Sequence, residues 1–252
     1  MDLQLKGKRA IVTGASRGIG KAIAIELGRE GVDLVVAARG HEALAVTATE
    51  IAQLVGRKVV PIRFDASSKE AADALVAKAI EELGGVDILV NAAALPGGLS
   101  TATQLADIDD ALALEDINIK VLGYVRTARA LAPHLVKRGW GRIINIGGLA
   151  IYKTGRPVAT LRNVGVAAIT KNLADELGPK GTNVTAVHPG ITRTEKTDAE
   201  LEERARAVNT IGRIVDASEI ASLVAFLASS RSAAINGDAI SAGGGLAGTI
   251  KY

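Results

Sequence analysis

An apolar run, Ala10-Ile11-Val12, leads into the turn Thr13-Gly14-Ala15-Ser16-Arg17-Gly18-Ile19-Gly20. An apolar-periodic segment, Ile23-Ala24-Ile25-Glu26-Leu27, follows. The order reads as strand, tight glycine turn, helix. Glycine lets the backbone turn sharply and come close to a ligand. The helix N-terminus behind it offers unpaired N–H groups and the positive end of a dipole, which suits a pyrophosphate.

The rest of the chain repeats this alternation. Strands are expected at Arg9 to Thr13, Asp33 to Ala38, Val59 to Phe64, Asp87 to Asn91, Arg142 to Ile146, Asn183 to His188 and Asp238 to Ser241. Helices are expected over Ile19 to Gly31, Glu42 to Leu54, from a Ser67 or Ser68 cap to Leu83, and over Asp107 to Lys137 with an interruption at Pro133. Further helices are expected over Pro157 to Leu177, Glu195 to Asn209 as a charged lid, and from a Ser218 cap to Leu227. Repeated βα units imply parallel strands joined by right-handed crossovers. The expected architecture is α/β: one domain over residues 1–252, a Rossmann-type doubly wound parallel sheet of about seven strands, with helices on both faces. Ligands of such sheets bind beyond the carboxyl ends of the strands.

Composition narrows the function. Hydrophobic residues are 48% of the chain and aromatics only 2%, so the core is built of Ala, Val, Ile and Leu, as buried parallel strands require. A formal charge of +3, dispersed along the chain, gives no reason to expect nucleic acid. There are no cysteines, which excludes disulfides and thiol catalysis, and His41, His134 and His188 are too scattered in sequence to suggest a metal site. No signal-peptide pattern and no apolar run of about 18 residues is present, so a cytoplasmic protein without a membrane partner is expected.

Taken together, the motifs resemble the short-chain dehydrogenase/reductase family along essentially the whole chain. They are the glycine turn, Asp65-Ala66, Asn91-Ala92-Ala93-Ala94, Asn118, Pro189-Gly190 with Thr192 and Thr194, Gly212-Arg213, Glu219-Ile220-Ala221, Phe226-Leu227 and Asn236-Gly237. The resemblance implies a dinucleotide held by Gly14, Ser16, Arg17, Gly18, Ile19 and Gly20 at the pyrophosphate and by Asp65 and Ala66 at the adenine. Asn91, Ala92 and Ala93 would lie along it, and Pro189, Gly190, Thr192 and Thr194 would hold the nicotinamide carboxamide. It also implies a small-molecule substrate and a homo-oligomer, a tetramer or dimer, with Gly243-Gly244-Gly245-Leu246 and the apolar tail beyond at an interface.

Charge selects the cofactor. NAD-binding members place an acid at the end of the second strand. Here that place is Ala38, followed by Arg39, and Arg17 sits within the turn. Two guanidinium groups suit a ribose 2′-phosphate, so NADP(H) is expected over NAD(H).

The resemblance implies a Ser after the fifth strand, a Tyr 13 positions later and a Lys four beyond that. Counted from Asn145-Ile146-Gly147-Gly148, these positions hold Gly148, Leu161 and Gly165, and the helix pattern over Ala167 to Ala174 is taken to support that register. Leu161 cannot donate a proton, and Gly165 removes a ribose anchor. The remaining catalytic candidates are Tyr152, in a loop flanked by Lys153 and Arg156, and Asn118, which in the family orders a water. Arg162 is expected to face away from the site and His188 to support a turn. The expectation is an atypical NADP(H)-dependent oxidoreductase. A non-redox lyase, hydratase or C–C cleaving enzyme is the first alternative. The second is a non-catalytic NADP(H)-binding sensor or the partner subunit of an active homologue.

Overall fold

Strands buried on both faces need apolar side chains at consecutive positions, and this chain supplies them. A computed structural model describes residues 1–95 and 97–248; the last residues of the apolar tail, 249–252, lie outside the described residues. The chain runs β1 (Arg9–Thr13), α1 (Gly18–Arg29), β2 (Asp33–Ala38), α2 (His41–Val55), β3 (Val59–Arg63), α3 (Lys69–Leu83) and β4 (Ile88–Asn91). It continues through α4 (Asp110–Ile117), a π turn (Asn118–Leu122), α5 (Gly123–Arg138), β5 (Gly141–Ile146), α6 (Pro157–Leu177) and β6 (Thr182–Pro189). Short strands β7 (Thr192–Arg193) and β8 (Val215–Asp216) flank α7 (Ala199–Val208); α8 (Ala217–Ala228) and β9 (Ala239–Ala242) follow.

The main sheet has seven parallel strands in the order β3-β2-β1-β4-β5-β6-β9. One face packs on α1, α2 and α8 through Ile23, Leu27, Leu44, Ile51, Ile220 and Val224. The other packs on α3, α5 and α6 through Leu75, Val76, Leu131, Leu135 and Leu177. Pro61 lies in β3, at the edge of the sheet, where a missing N–H costs no ladder bond on the open side. The strand order reverses between β1 and β4, so the crevice beyond their carboxyl ends is the expected ligand position.

Three local expectations change. Pro133 sits inside α5 without ending it, and the interruption falls earlier, at the π turn. The helix expected from Glu195 begins at Ala199, capped by Asp198, whose carboxylate accepts from Leu201 N–H at 2.8 Å. Asp216, not Ser218, stands at the start of α8, and the Glu219 carboxylate folds back to accept its N–H at 2.9 Å.

Candidate functional site

A cleft of about 810 Å³ runs along the carboxyl ends of the central strands. At one end the glycine turn closes against β4. A Cβ on Gly14 would fall 2.5 Å from the Ala92 carbonyl oxygen, and one on Gly20 would fall 2.3 Å from that of Gly14. Both positions therefore require glycine, and the turn lies flush with its neighbours. Thr13 Oγ1 accepts from the N–H groups of Ala92 and Ala93 at 3.1 and 3.2 Å and fixes the crevice between β1 and β4. Gly18 N–H, in the first turn of α1, points at the Glu195 carboxylate, 3.0 and 3.2 Å from its two oxygens. An anionic group thus already sits on the positive end of α1, which is the fit a pyrophosphate needs.

All the residues expected to contact a dinucleotide line this cleft except Asn91. Asn91 is fully buried. Its amide donates to Asn145 Oδ1 at 3.0 Å and its carbonyl accepts from Thr127 Oγ1 at 2.7 Å, so it clasps β4 to β5 and α5. Arg17 and Arg39 are exposed at the cleft's outer end, beside Ala38. Asp65 accepts from the backbone and hydroxyl of Ser67; those bonds, more than the charges of Arg39 and Arg63, hold its carboxyl below the usual range.

The inner end is bounded by Gly147, Gly148, Ala159, Asn163, Arg162 and Lys120. Here the register expected from the sequence is corrected. Leu161 is 56% exposed. Gly165 faces Val121, whose methyl groups a Cβ there would meet at 3.0 and 3.3 Å. Neither lines the cleft. The two α6 positions that do, four residues apart on one face, are Ala159 and Asn163. Gly148 lines the cleft, and a Cβ there would lie 3.3 Å from Asn163 Oδ1. A Cβ on Gly147 would collide with the His188 ring, whose Nδ1 accepts from Gly148 N–H at 3.0 Å; His188 supports this turn, as expected.

Both catalytic candidates also lie elsewhere. Asn118 is turned toward Arg126, which donates to its side-chain oxygen at 2.6 Å and to its carbonyl at 2.9 Å. Tyr152 ends a short 3-10 turn, edge-on to His188 with ring centroids 6.4 Å apart, and does not line the cleft. Arg162 is likewise corrected. It is buried and lines the cleft, paired with Asp116 at 3.3 Å.

The residue that sequence reasoning missed is Lys120. It is 5% exposed, and its Nζ donates to Gly147 O at 3.0 Å and to Asn163 Oδ1 at 2.9 Å. Burial, helped by the Arg162 charge and opposed by Asp116, pushes its ammonium down to about 7. A lysine flanked by apolar residues in a helical stretch was the available signal.

Among the described residues, no group of three or more His, Cys, Asp or Glu could hold a metal ion, and no helix is long and apolar enough to cross a membrane.

The family model described as enoyl-(acyl carrier protein) reductase matches residues 14–247. The chain is 34% identical to the 3-oxoacyl-(acyl-carrier-protein) reductase FabG of Pseudomonas aeruginosa, over 97% of this chain and 99% of that protein. Its fold is similar to L-sorbose reductase from Gluconobacter frateurii complexed with NADPH and L-sorbose. The TM-score is 0.90 at 27% identity, covering 99% of this chain and all of that one. It is also similar to a short-chain dehydrogenase from Burkholderia cenocepacia in complex with NADP, at TM-score 0.87 and 32% identity, covering 96% and 98%.

Proposed function

This chain belongs to the short-chain dehydrogenase/reductase family, and we propose that within it the protein is an atypical NADP(H)-dependent oxidoreductase acting on a small carbonyl or alcohol. The observation that carries the reading is the single cleft that joins the glycine turn, with Arg17 and Arg39 at its mouth, to a polar inner end at Lys120 and Asn163.

The dinucleotide supplies a hydride to the substrate carbon, or accepts one from it. The protein's part is to hold and orient. Backbone N–H groups at the start of α1 would take the pyrophosphate. The Arg17 and Arg39 guanidinium groups would take a 2′-phosphate, with no acid at Ala38 to oppose it. Asp65 and Ala66 would meet the adenine, and Pro189, Gly190, Thr192 and Thr194 the nicotinamide. The inner end lacks the serine, tyrosine and lysine arrangement that the resemblance implies, with Gly148, Ala159 and Asn163 facing the cleft instead. A substrate that needs less help from a hydroxyl acid fits such a site.

The substrates in the relatives' names, a 3-oxoacyl-(acyl-carrier-protein) and L-sorbose, support a carbonyl acceptor. The family framework also supports a cytoplasmic homo-oligomer.

Calorimetric titration with NADPH and NADH tests the cofactor, and the near-ultraviolet absorbance of the reduced nicotinamide tests turnover over carbonyls, enones and alcohols. The expected result is NADPH binding at least about tenfold tighter than NADH, with turnover of at least one carbonyl. Comparable affinities would overturn the NADP(H) preference. Turnover with no net cofactor consumption would move the chain to the lyase or hydratase reading. Binding without any turnover would move it to the sensor or partner-subunit reading.

A further inference from the structure

Lys120 enters the cleft because of the π turn. The wider turn carries Asn118 outward to Arg126 and Lys120 inward to α6. Such turns inside helices recur at functional sites. The partner on α6 is fixed. Asn163 Nδ2 donates to the Ala159 carbonyl at 2.7 Å, which leaves its Oδ1 aimed at Lys120 Nζ. An ammonium has three N–H donors. Gly147 O and Asn163 Oδ1 take two, and the third is available to an acceptor in the cleft.

Among the described residues, no carboxylate bonds this lysine. Asp116, on α4, is engaged by Arg162 and by the N–H groups of Leu99 and Ser100 at 2.9 and 3.2 Å. From α5 the neighbour is Tyr124, whose hydroxyl donates to Ile146 O at 3.0 Å. From α6 it is Arg162, and beneath the Gly147 turn it is His188. Burial and the Arg162 charge favour the neutral amine, Asp116 favours the ammonium, and the two forms balance near neutral pH. That is where an acid–base group works best. Lys120, Gly148 and Ala159 line the same cleft.

We propose that Lys120 is the catalytic residue that exchanges a proton with the substrate oxygen, and that Asn163 is its positioning residue. This rests on the oxidoreductase reading. In reduction, the carbonyl carbon gains the hydride and its electron pair from NADPH, and the π pair moves to the carbonyl oxygen. That oxygen takes a proton from Nζ, and the neutral amine left behind is reprotonated by water. In oxidation the neutral amine takes the hydroxyl proton.

Two measurements test this. In the first, the protein without cofactor is labelled with trace acetic anhydride across a pH series, and acetylation of Lys120 is read by peptide mass spectrometry. Half-maximal reactivity near pH 7 is expected, as is a shift of that midpoint in N163A. A reactivity curve like that of the surface lysines would overturn the proposal. In the second, kcat/KM for the best carbonyl substrate is followed against pH. The wild-type reduction rate should fall as pH rises through about 7. K120M should lose roughly a hundredfold or more, within the range of an acid–base group, and should lose the pH limb with it. K120Q, which keeps donors for Gly147 and Asn163 but has no titrating proton, controls for folding and should match K120M. Variants that retain wild-type kcat/KM and pH limb would overturn the role of Lys120 alone. A wild-type protein that binds NADPH yet reduces no carbonyl would overturn the oxidoreductase reading and this proposal with it.

Discussion

The Glu195 carboxylate lies 3.0 Å from the Gly18 backbone nitrogen and accepts its N–H at the start of α1. In the proposed reading, an acid from the segment after β7 therefore sits where the pyrophosphate would bind, and a bound dinucleotide would displace it. E195Q removes the competing charge. NADPH affinity should rise roughly two- to fivefold, the scale of a single charge at a helix terminus. The gain should shrink as salt screens the contact. Calorimetric titration at low and high ionic strength checks both. Unchanged or weaker binding would show that Glu195 does not compete.

The fold was legible because its signals are local: apolar runs such as Leu34-Val35-Val36, and a glycine turn between strand and helix. The place of the glycine turn at one end of the cleft was legible for the same reason. The inner end was not. From Gly148, the α6 positions are reached only across the loop 149–156, and any change in that loop's length shifts the register of the helix. The segment Pro157–Leu177 offers little correction, since its buried positions include Arg162 and Asn163 beside apolar residues, so no clean apolar face marks the register. Lys120 was hidden by the π turn, which breaks the 3.6-residue period on which face assignments rest.

That correction can be tested by placing tyrosine at each position. Leu161 is 56% exposed, so L161Y should change stability by no more than about 0.5 kcal/mol, the usual range of surface substitutions. It should leave NADPH affinity unchanged. Ala159 is 5% exposed and forms the cleft wall, so A159Y should alter NADPH affinity. Thermal melts and calorimetry distinguish the two. An effect of L161Y on binding would restore the register counted from the sequence.

The Lys120–Asn163 contact makes a paired prediction. N163K alone sets a second ammonium against a buried one and should destabilise the fold. K120N/N163K restores one cation and one amide across the same 2.9 Å contact and should recover part of the loss. A coupling of about 0.5–3 kcal/mol in the double-mutant cycle is expected for residues in direct contact. Strict additivity by denaturant unfolding would mean that the two side chains do not interact.

Away from the cleft, Asp87 ties β1 to α5. Its carboxylate accepts from Arg9 Nε at 2.9 Å and from Arg138 Nη2 at 2.9 Å, with only 3% of the side chain exposed. Burial alone would raise its pKa, but the Arg9 hydrogen bond and the charges of Arg9 and Arg138 more than offset this and hold it low. D87N should cost about 3 kcal/mol at neutral pH, since it leaves two arginines uncompensated. A lowered carboxyl pKa stabilises the fold above the ordinary carboxylate range and ceases to do so as pH falls through the folded value. Urea midpoints of wild type and D87N should therefore converge in acid. A constant gap would assign the loss to packing.

Lys120 has the opposite linkage. It titrates near 10.5 when unfolded and at about 7 when folded. Between these values the unfolded chain binds more protons, so wild-type stability should rise with pH over that window. Below about pH 7 the lysine is charged in both states, and its burial penalty is fully present. K120M removes the titration and also the donors to Gly147 and Asn163, a loss that does not vary with pH. The difference in unfolding free energy between wild type and K120M should therefore move in favour of wild type from pH 7 toward pH 10. Its slope should approach about 1.4 kcal/mol per pH unit in mid-window. Denaturant titrations at several pH values measure that slope. Parallel curves for the two proteins would mean that Lys120 keeps an ordinary lysine pKa in the folded chain, and its suitability for proton transfer at neutral pH would fall with it.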